Sequence, residues 1–347
     1  MDKKHIQSLD SQDMWQKLVT FPNQWQEATD LTSDIDFTID KERINKICFV
    51  GMGGSASGGE LIQAYLYEEC PYPIEITRHY KIPGWVDENT LVVASSFSGN
   101  TEETLTGLVA ARDKGAQSII VTSGGELMLK AAKENIDYIK LPGGMESRTA
   151  IGYIFIPLYR IMQYLDVIKE GEKILNETQH FLSDQNELYS NPEDNEALNL
   201  AHDIKDTLPI FYSDAVTLQP VSLWWQNQFQ QNAKTLAYSN TLPEMTHNEI
   251  VGWEQVVHLT GRLSVIMLKD KSDSPRVQRR MDIVQELIED QTASLHIINS
   301  RGPNHLSRMV SLVQMADWTS FYLAMLGNID PTPVTKIDLL KRKLSEA

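Results

Sequence analysis

Short apolar runs alternate with amphipathic stretches along most of the chain. The first run, ICFV at residues 47–50, ends in a glycine and is typical of a buried parallel strand. Further runs of this kind follow in the first half at residues 74–77, 91–95, 118–122 and 138–141, and patterns of helical period separate them at 61–69, 102–114 and 126–134. This rhythm predicts an α/β fold with a doubly wound parallel sheet covered by helices on both faces.

The same rhythm returns in the second half. Apolar runs at residues 208–212, 263–268 and 295–298 predict strands, and residues 218–233, 276–290 and 305–326 predict helices. Residues 148–164 are expected to form one apolar helix that closes the first half. Trp224 and Trp225 are adjacent on one predicted helix, so we expect at most one of them to face the core.

These patterns divide the chain into five regions. The regions are an N-terminal helical segment at 1–40, a first α/β domain at 41–166, a helical linker at 167–195, a second α/β domain at 196–330 and a tail at 331–347. A chain of 347 residues has the length expected for about two domains of roughly 150 residues each.

Composition narrows the functional classes. The chain has 31 Lys and Arg against 47 Asp and Glu, a net charge of −16, and no basic run, which argues against a nucleic-acid partner. No apolar stretch approaches the ~20 residues that span a bilayer, so we expect no membrane partner. The start MDKKHI lacks the apolar core of a signal peptide, and only two cysteines occur. We therefore expect a cytoplasmic protein.

A glycine-rich loop follows the first predicted strand. It reads GMGGSASGG at residues 51–59, and glycines let a backbone turn tightly and approach a ligand at a helix start. Gly51, Gly53 and Ala56 also fit the dinucleotide fingerprint, with Glu75 at the end of the next predicted strand. A tight turn with no ligand is the third interpretation of this loop.

A hydroxyl-rich loop follows the third predicted strand. It reads SSFSGNTEE at residues 95–103 and lies where open α/β sheets bind ligands. Hydroxyls and N–H groups around a helix start can form a nest for a phosphate, with Glu102 and Glu103 pointing away from it. Ordinary helix capping is the alternative, because Asn100 and Glu103 fit a capping box.

Together the two loops resemble the sugar-isomerase (SIS) domain, a phosphosugar-binding module. The motifs ESRTAIGY at 146–153, QNAK at 231–234 and LPEMTHNEIVGW at 242–253 extend the resemblance to the bifunctional phosphoglucose/phosphomannose isomerase family over residues 45–345. The resemblance implies two doubly wound, flavodoxin-like SIS domains with flanking helices. It also implies a homodimer with a shared active site that interconverts glucose 6-phosphate and mannose 6-phosphate with fructose 6-phosphate, without a metal or another cofactor.

The resemblance also implies roles for individual residues. The phosphate-binding residues would be Gly53, Gly54, Ser55, Ser96, Ser98 and Thr101. Arg148 would lie by the C1 and C2 oxygens of the sugar. His247 would open the sugar ring and reach the site from the partner subunit, and Lys341 is a weaker ring-opening candidate.

The position of the family's catalytic base holds an amide. The family motif ends Asn-Glu-Asn-(Ala/Ser)-Lys, whereas this chain reads QQNAK at 230–234, with Gln231 in place of the glutamate. Isomerisation through an enediol(ate) moves a proton between C1 and C2, and a neutral amide cannot accept it. One general base contributes roughly 10²–10⁴-fold in rate, so we expect an isomerase impaired at this step.

Three alternatives remain open at this point. His247 could act as the base, whereas Glu244 and Glu249 accompany the histidine in the family and are not obvious replacements. The chain could instead be a non-catalytic, phosphosugar-binding regulatory protein. A dinucleotide-dependent enzyme is a third class, disfavoured by the hydroxyl-rich loop and by Arg78 beside the acid that would bind a ribose.

Overall fold

The computed structural model describes residues 1–255, 258–259 and 261–346. The chain divides into two compact units. We call residues 20–181 with 303–306 the N-domain, and residues 1–19, 182–302 and 307 onward the C-domain.

The helices and strands follow the predicted alternation. In chain order the helices are α1 Lys3–Leu9, α2 Met14–Val19, α3 Phe21–Leu31, α4 Gly53–Tyr65, α5 Glu102–Asp113, α6 Gly125–Glu134, α7 Ile151–Tyr164, α8 Gly171–Tyr189, α9 Glu196–Asp203, α10 Gln219–Gln231, α11 Glu249–Gly252, α12 Pro275–Ile288, α13 His305–Leu326 and α14 Thr335–Ser345. The strands are β1 Lys46–Val50, β2 Ile74–Thr77, β3 Thr90–Ser95, β4 Gln117–Thr122, β5 Asp137–Lys140, β6 Leu208–Asp214, β7 Tyr238–Leu242, β8 Leu263–Lys269 and β9 Ser294–Asn299.

The N-domain is built on a parallel sheet with the strand order β2-β1-β3-β4-β5. Its central strands β1 and β3 are buried along almost their whole length, as expected for strands covered on both faces. Val50 pairs with Ala94, so β1 and β3 end side by side. In this flavodoxin-like order the chain changes direction between β1 and β3, where such sheets bind ligands.

The C-domain repeats the arrangement with the order β7-β6-β8-β9, again parallel. The prediction of two parallel-sheet α/β domains is therefore confirmed. Strand β7 was not predicted, because YSNTL carries mostly polar residues and is half-exposed at the edge of the sheet.

The prediction for the tryptophan pair was wrong. Trp224 and Trp225 are both buried, since α10 is covered on more than one side. Each indole nitrogen has its own acceptor: Trp224 donates to Asp317 at 2.7 Å, and Trp225 donates to the carbonyl of Leu312 at 3.0 Å. Adjacent helical residues point about 100° apart, so both can be buried when two surfaces cover the helix.

Two predicted boundaries also differ in the N-domain. Helix α4 begins at Gly53, so most of the glycine-rich segment is helical rather than a loop. A Cβ on Gly58 would lie 2.6 Å from Ile154, so the missing side chain lets α4 approach α7 closely. The predicted helix at 148–164 begins only at Ile151, and Arg148 lies in a separate single turn at Ser147–Thr149.

Within the part of the chain that the structure describes, no helix is long and apolar enough to cross a membrane.

Candidate active site

The loops after β1 and β3 meet at the switch point of the N-domain sheet. A Cβ on Gly51 would lie 2.8 Å from the carbonyl oxygen of Ser95, so the backbone segments after β1 and β3 approach closely there. The hydroxyl of Ser55, in the first turn of α4, accepts the backbone N–H of Phe97 at 3.1 Å. Because Ser55 is only 5% exposed, this bond lies in the interior and fixes one loop against the other.

Hydroxyl groups line the turn that leads into α5. The Ser96 hydroxyl accepts the N–H of Gly99 at 3.2 Å and lies 2.8 Å from the hydroxyl of Thr101. Ser96 is buried, Thr101 is half-exposed and Ser98 is exposed. Thr101 is the N-cap of α5, but its side chain accepts no hydrogen bond from the first N–H groups of the helix. Such a helix start is suited to bind an anion.

Asn100 does not form the capping box that its spacing with Glu103 suggested. Its side-chain oxygen instead accepts the N–H of Glu126 at 2.9 Å, at the start of α6. The cap position belongs to Thr101, which leaves Asn100 free to connect the loop after β3 with the loop after β4. The capping-box interpretation was therefore wrong.

The loop after β4 contacts the loop after β3, and the sequence analysis missed this contribution. The hydroxyl of Ser123 donates to the carbonyl of Phe97 at 2.6 Å. Gly99 has a φ of +73°, and a Cβ on it would lie 1.8 Å from the carbonyl oxygen of Gly124. The adjacent glycines 124 and 125 were the available signal, since they allow this close approach.

One of the two acids that begin α5 is held by a tyrosine. The hydroxyl of Tyr80 donates to the carboxylate of Glu102 at 3.1 Å. This hydrogen bond to Glu102 is the main reason that the pKa of Tyr80 is raised. The carboxylate of Glu102 is thus tied to the segment after β2, in keeping with the requirement that it point away from a phosphate.

Arg148 is buried beside the start of α4. A Cβ on Gly54 would lie 2.8 Å from the carbonyl oxygen of Ser147 and 3.4 Å from the backbone nitrogen of Arg148. The turn that carries Arg148 is also fixed by Gln24, whose side chain donates to the carbonyl of Thr149 at 2.8 Å. The structure thus brings the predicted residues of the two loops and the turn of Arg148 into one region of the N-domain.

The dinucleotide interpretation finds no support in this region. Arg78 forms an ion pair with Glu60 on α4, and Glu75 is exposed on β2. Burial raises the pKa of Glu60, and the guanidinium of Arg78 opposes that rise. The strand order is that of flavodoxin-like sheets and differs from the order 3-2-1-4-5-6 of dinucleotide-binding domains.

Gln231 is the last residue of α10, in the C-domain. Its half-exposed amide makes no hydrogen bond within the described residues. Its backbone carbonyl accepts the ammonium of Lys234, which also donates to the carbonyl of Pro331 at 2.9 Å. Lys234 adopts a left-handed conformation with a φ of +55°, and this turns the chain sharply after the helix.

The buried carboxyl group of Asp317 anchors this end of α10. Asp317 on α13 accepts the side-chain N–H groups of Trp224 at 2.7 Å and Gln228 at 2.6 Å. Gln228 in turn accepts the amide of Asn232 at 3.1 Å, and Asn232 also donates to Ser320 at 3.0 Å. Burial raises the pKa of Asp317 to about 8, and its two hydrogen bonds oppose that rise. The network fixes the residue next to Gln231.

The acids near His247 already have partners. Glu249 accepts the hydroxyl of Tyr212 with one oxygen and the amide of Asn240 with the other. Glu244 accepts the amide of Asn248 at 3.0 Å. His247 itself is exposed at the end of a short turn after β7.

Lys341 is exposed on α14. The C-domain contains Gln231, His247 and Lys341, and the N-domain contains Arg148 and the residues predicted to bind phosphate. Within the described residues, no group of three or more His, Cys, Asp or Glu side chains is arranged to hold a metal.

Comparison with known proteins follows the same division. Residues 41–150 match the model of the SIS domain, and residues 193–344 match that of the bacterial phospho-glucose isomerase C-terminal SIS domain. A bifunctional phosphoglucose/phosphomannose isomerase of Caldicellulosiruptor bescii is 40% identical over 337 residues, which cover 96% of this chain and 99% of that protein. The chain belongs to the bifunctional phosphoglucose/phosphomannose isomerase family. A relative of the same name from Aquifex aeolicus is 31% identical, covering 86% of this chain and 90% of its own.

Solved structures support the fold of this isomerase-family chain. The C-terminal domain of glucosamine-fructose-6-phosphate aminotransferase from Francisella tularensis superposes with a TM-score of 0.71 at 14% identity, covering 92% of this chain and 97% of that one. Tagatose-6-phosphate ketose/aldose isomerase from Escherichia coli gives a TM-score of 0.68 at 14% identity, covering 92% and 95%. At this identity the likeness shows the fold alone. The expected SIS fold is therefore confirmed, as is the resemblance to an aldose–ketose isomerase family.

Proposed function

We propose that this chain binds a hexose 6-phosphate and interconverts glucose 6-phosphate, mannose 6-phosphate or both with fructose 6-phosphate. The observation that carries the proposal is the hydrogen bond from Phe97 N–H to Ser55, which joins two phosphate-type loops at the sheet's switch point. The N–H groups at the start of α5, with the hydroxyls of Ser96, Ser98 and Thr101, would hold the phosphate.

The remaining candidates supply the chemistry of an enediol(ate) pathway. The guanidinium of Arg148 would stabilise negative charge on the C1 and C2 oxygens as the proton leaves carbon. His247 would open the sugar ring by moving protons between the ring oxygen and the C1 hydroxyl, with Lys341 as the second candidate. The proton transfer between C1 and C2 then requires a base, and Gln231 cannot supply one.

We propose that this step is slow in the natural chain. Glu249 is a poor replacement base, since both its oxygens already accept hydrogen bonds from Tyr212 and Asn240. A phosphosugar-binding protein without isomerase activity is the second candidate function, and the specific observation that favours it is the uncommitted amide of Gln231.

The test follows deuterium incorporation into fructose 6-phosphate by NMR in deuterated water. We expect Gln231→Glu to accelerate exchange at C1 and C2 by roughly 10²-fold or more, the range of one general base. Gln226→Glu is the matched control: it makes the same change five residues earlier on α10, where Gln226 accepts the hydroxyl of Ser239 at 2.8 Å and a carboxylate could do the same.

Each result separates the candidates. Ready exchange by the natural chain would overturn the impairment and direct attention to His247. Exchange gained only with Gln231→Glu supports a natural phosphosugar-binding protein that has lost its base. If sugar phosphate binds but neither protein exchanges deuterium, the isomerase proposal fails and the phosphate site stands. If no sugar phosphate binds, both fail.

We further propose a homodimer whose active sites are shared, so that His247 serves the site of the partner subunit. In the Gln231→Glu background, Ser96→Ala and His247→Ala should each be nearly inactive. Mixing the two after reversible unfolding should recover about a quarter of the activity, because one site of each mixed dimer is intact. A monomer by light scattering, or mixed dimers without recovery, would contradict the shared site.

We also propose that the protein acts in the cytoplasm. Its two cysteines, Cys48 and Cys70, are both free, and Cys48 is buried. Free thiols suit a reducing compartment. Cell fractionation with an antibody to the native protein would test this, and recovery with secreted proteins would contradict it.

A further inference from the structure

The switch point of the C-domain sheet carries acids where that of the N-domain carries hydroxyls. The two sheets share the order of their first four strands, so β8 corresponds to β3. Asp270 directly follows β8, as Ser96 directly follows β3. Arg308 lies in the first turn of α13, the helix that follows β9.

Asp270 is surrounded by donors. The Arg308 guanidinium donates to its two oxygens, from Nε to Oδ2 at 2.8 Å and from Nη2 to Oδ1 at 3.2 Å. The backbone N–H of Ser272 donates at 2.7 Å, and the hydroxyls of Ser272 and Ser300 both donate as well. The Asp270 side chain is fully buried, and that of Arg308 is 10% exposed.

The electrostatics show that the acid is held as an anion. Burial alone would raise the pKa of Asp270, but the hydrogen bonds from Arg308, Ser272 and Ser300 outweigh it and hold the pKa well below the ordinary value. A guanidinium, two hydroxyls and a backbone N–H are also the donors that proteins use to bind phosphate or sulfate.

The loop after β6, which is the other loop at this switch point, also has its N–H donors occupied by an acidic side chain. Asp214, at the end of β6, accepts the backbone N–H groups of Val216 at 2.7 Å and Thr217 at 2.9 Å. In the N-domain, the corresponding segment after β1 begins with glycines and presents Ser55 instead. Acidic side chains therefore take up donors on both loops of the C-domain that could otherwise face a ligand.

We propose that the C-domain holds an oxyanion cradle, formed by Arg308, Ser272 and Ser300, that the carboxylate of Asp270 occupies permanently. The cradle would accept a sulfate, a phosphate or a phosphate ester once that carboxylate is removed. As a consequence, which rests on the proposed function, each chain binds a single phosphosugar, at the N-domain.

The main test replaces Asp270 by the residue type found at the corresponding N-domain position. Asp270→Ser is combined with Ser96→Ala, which disables the N-domain site, and sulfate binding is followed by thermal shift and calorimetry. The double variant should bind sulfate roughly tenfold or more tightly than Ser96→Ala alone, through charge-assisted hydrogen bonds. A measurement at pH 6 limits repulsion from the neighbouring Asp273, because burial raises the pKa of its carboxyl group.

Asp282→Ser in the same Ser96→Ala background is the matched control. It also removes one carboxylate from an ion pair, here with Lys269 at 2.7 Å, but Asp282 is half-exposed and Lys269 is its one side-chain donor among the described residues. A folded Asp270→Ser double variant that binds sulfate no better than this control would overturn the cradle.

A measurement on the unaltered chain remains decisive if Asp270→Ser does not fold. Calorimetry with fructose 6-phosphate should give one site per chain, and Ser96→Ala should remove it. A site that survives Ser96→Ala and is lost in Arg308→Lys would show an open cradle and overturn the proposal. Should the unaltered chain bind no sugar phosphate while the Asp270 variant gains sulfate binding, the proposed function fails and the cradle stands.

Discussion

Ser55 shows how one hydroxyl can organise a ligand site. It accepts the N–H of Phe97 in the interior and so positions the loop after β3 against the start of α4. Ser55→Ala should leave that N–H without a partner, lower the free energy of unfolding by about 1–3 kcal/mol and weaken fructose 6-phosphate binding roughly tenfold. Urea unfolding and calorimetry measure the two effects.

Ser57→Ala is the control for that prediction. Ser57 is buried on the same helix, but its hydroxyl donates within that helix, to the carbonyl of Gly53 at 3.2 Å. It should change phosphosugar affinity far less than Ser55→Ala. Equal losses of affinity in the two variants would show that Ser55 has no special role in joining the loops.

A single substitution tests whether Glu249 takes part in the proton transfer. Both its oxygens accept hydrogen bonds, so Glu249→Gln places an amide N–H against one of the donors, Tyr212 or Asn240. We expect a loss of about 1–3 kcal/mol in the free energy of unfolding, without a change in deuterium exchange per folded molecule. Glu244→Gln, at an exposed acid, is the control. Loss of exchange in a folded Glu249→Gln protein would instead make Glu249 the base.

At the residue scale, sequence reasoning found the candidates but not their contacts. The hydroxyls at 96, 98 and 101 stood out because their residue types and spacing carry chemistry. The role of Asn100 was misjudged, since a side chain that can cap a helix can equally bond a neighbouring loop. That choice depends on where β4 places its own loop, which local sequence does not encode.

At the scale of elements, α10 and α13 are joined by one buried carboxyl group, that of Asp317, whose hydrogen-bond donors are neutral side chains. Asp317 accepts hydrogen bonds from Trp224 and Gln228, and burial raises its pKa from 3.8 to about 8. The folded protein therefore holds a proton that the unfolded chain has lost above about pH 4. The stability that this proton contributes is complete below pH 4 and is lost as the pH rises through 8.

Asp317→Asn should remove this contribution while its side-chain oxygen still accepts both hydrogen bonds. The free energy of unfolding of the natural protein, minus that of the variant, should fall steadily from pH 5 to pH 8. Urea titrations at intervals of one pH unit measure this difference. Asp184→Asn, at an exposed acid of α8, should show no such trend, and a flat difference for Asp317→Asn would contradict a raised pKa.

Helices and strands could be predicted where burial leaves a clear pattern of apolar residues in the sequence. Strands covered on both faces, such as β3, are continuous apolar runs, and α13 was predicted with its observed bounds, His305–Leu326. The start of α4 was not predictable, because glycines usually end helices; here side chains on Gly54, Gly58 and Gly59 would crowd Ser147, Ile154 and Phe49. The edge strand β7 lacks the apolar run altogether.

At the scale of the whole molecule, two domains of one fold differ in what their switch points offer a ligand. The N-domain presents hydroxyls and an uncapped helix start, whereas the C-domain fills the corresponding place with the Asp270–Arg308 pair. Duplication of a fold thus does not duplicate its site, because function depends on the residues at the carboxyl ends of the strands.

This difference predicts an uneven response to ligand across the molecule. Fructose 6-phosphate should slow amide hydrogen exchange at residues 53–58 and 96–105, because bound phosphate engages their N–H groups and opposes local opening. Exchange at residues 270–275 should stay unchanged, because the donors there already bind Asp270. Mass spectrometry of peptides resolves these segments in the natural chain. Ser96→Ala should abolish the protection at the N-domain loops, and ligand-dependent protection at 270–275 that persists in this variant would show that the C-domain binds the sugar phosphate itself.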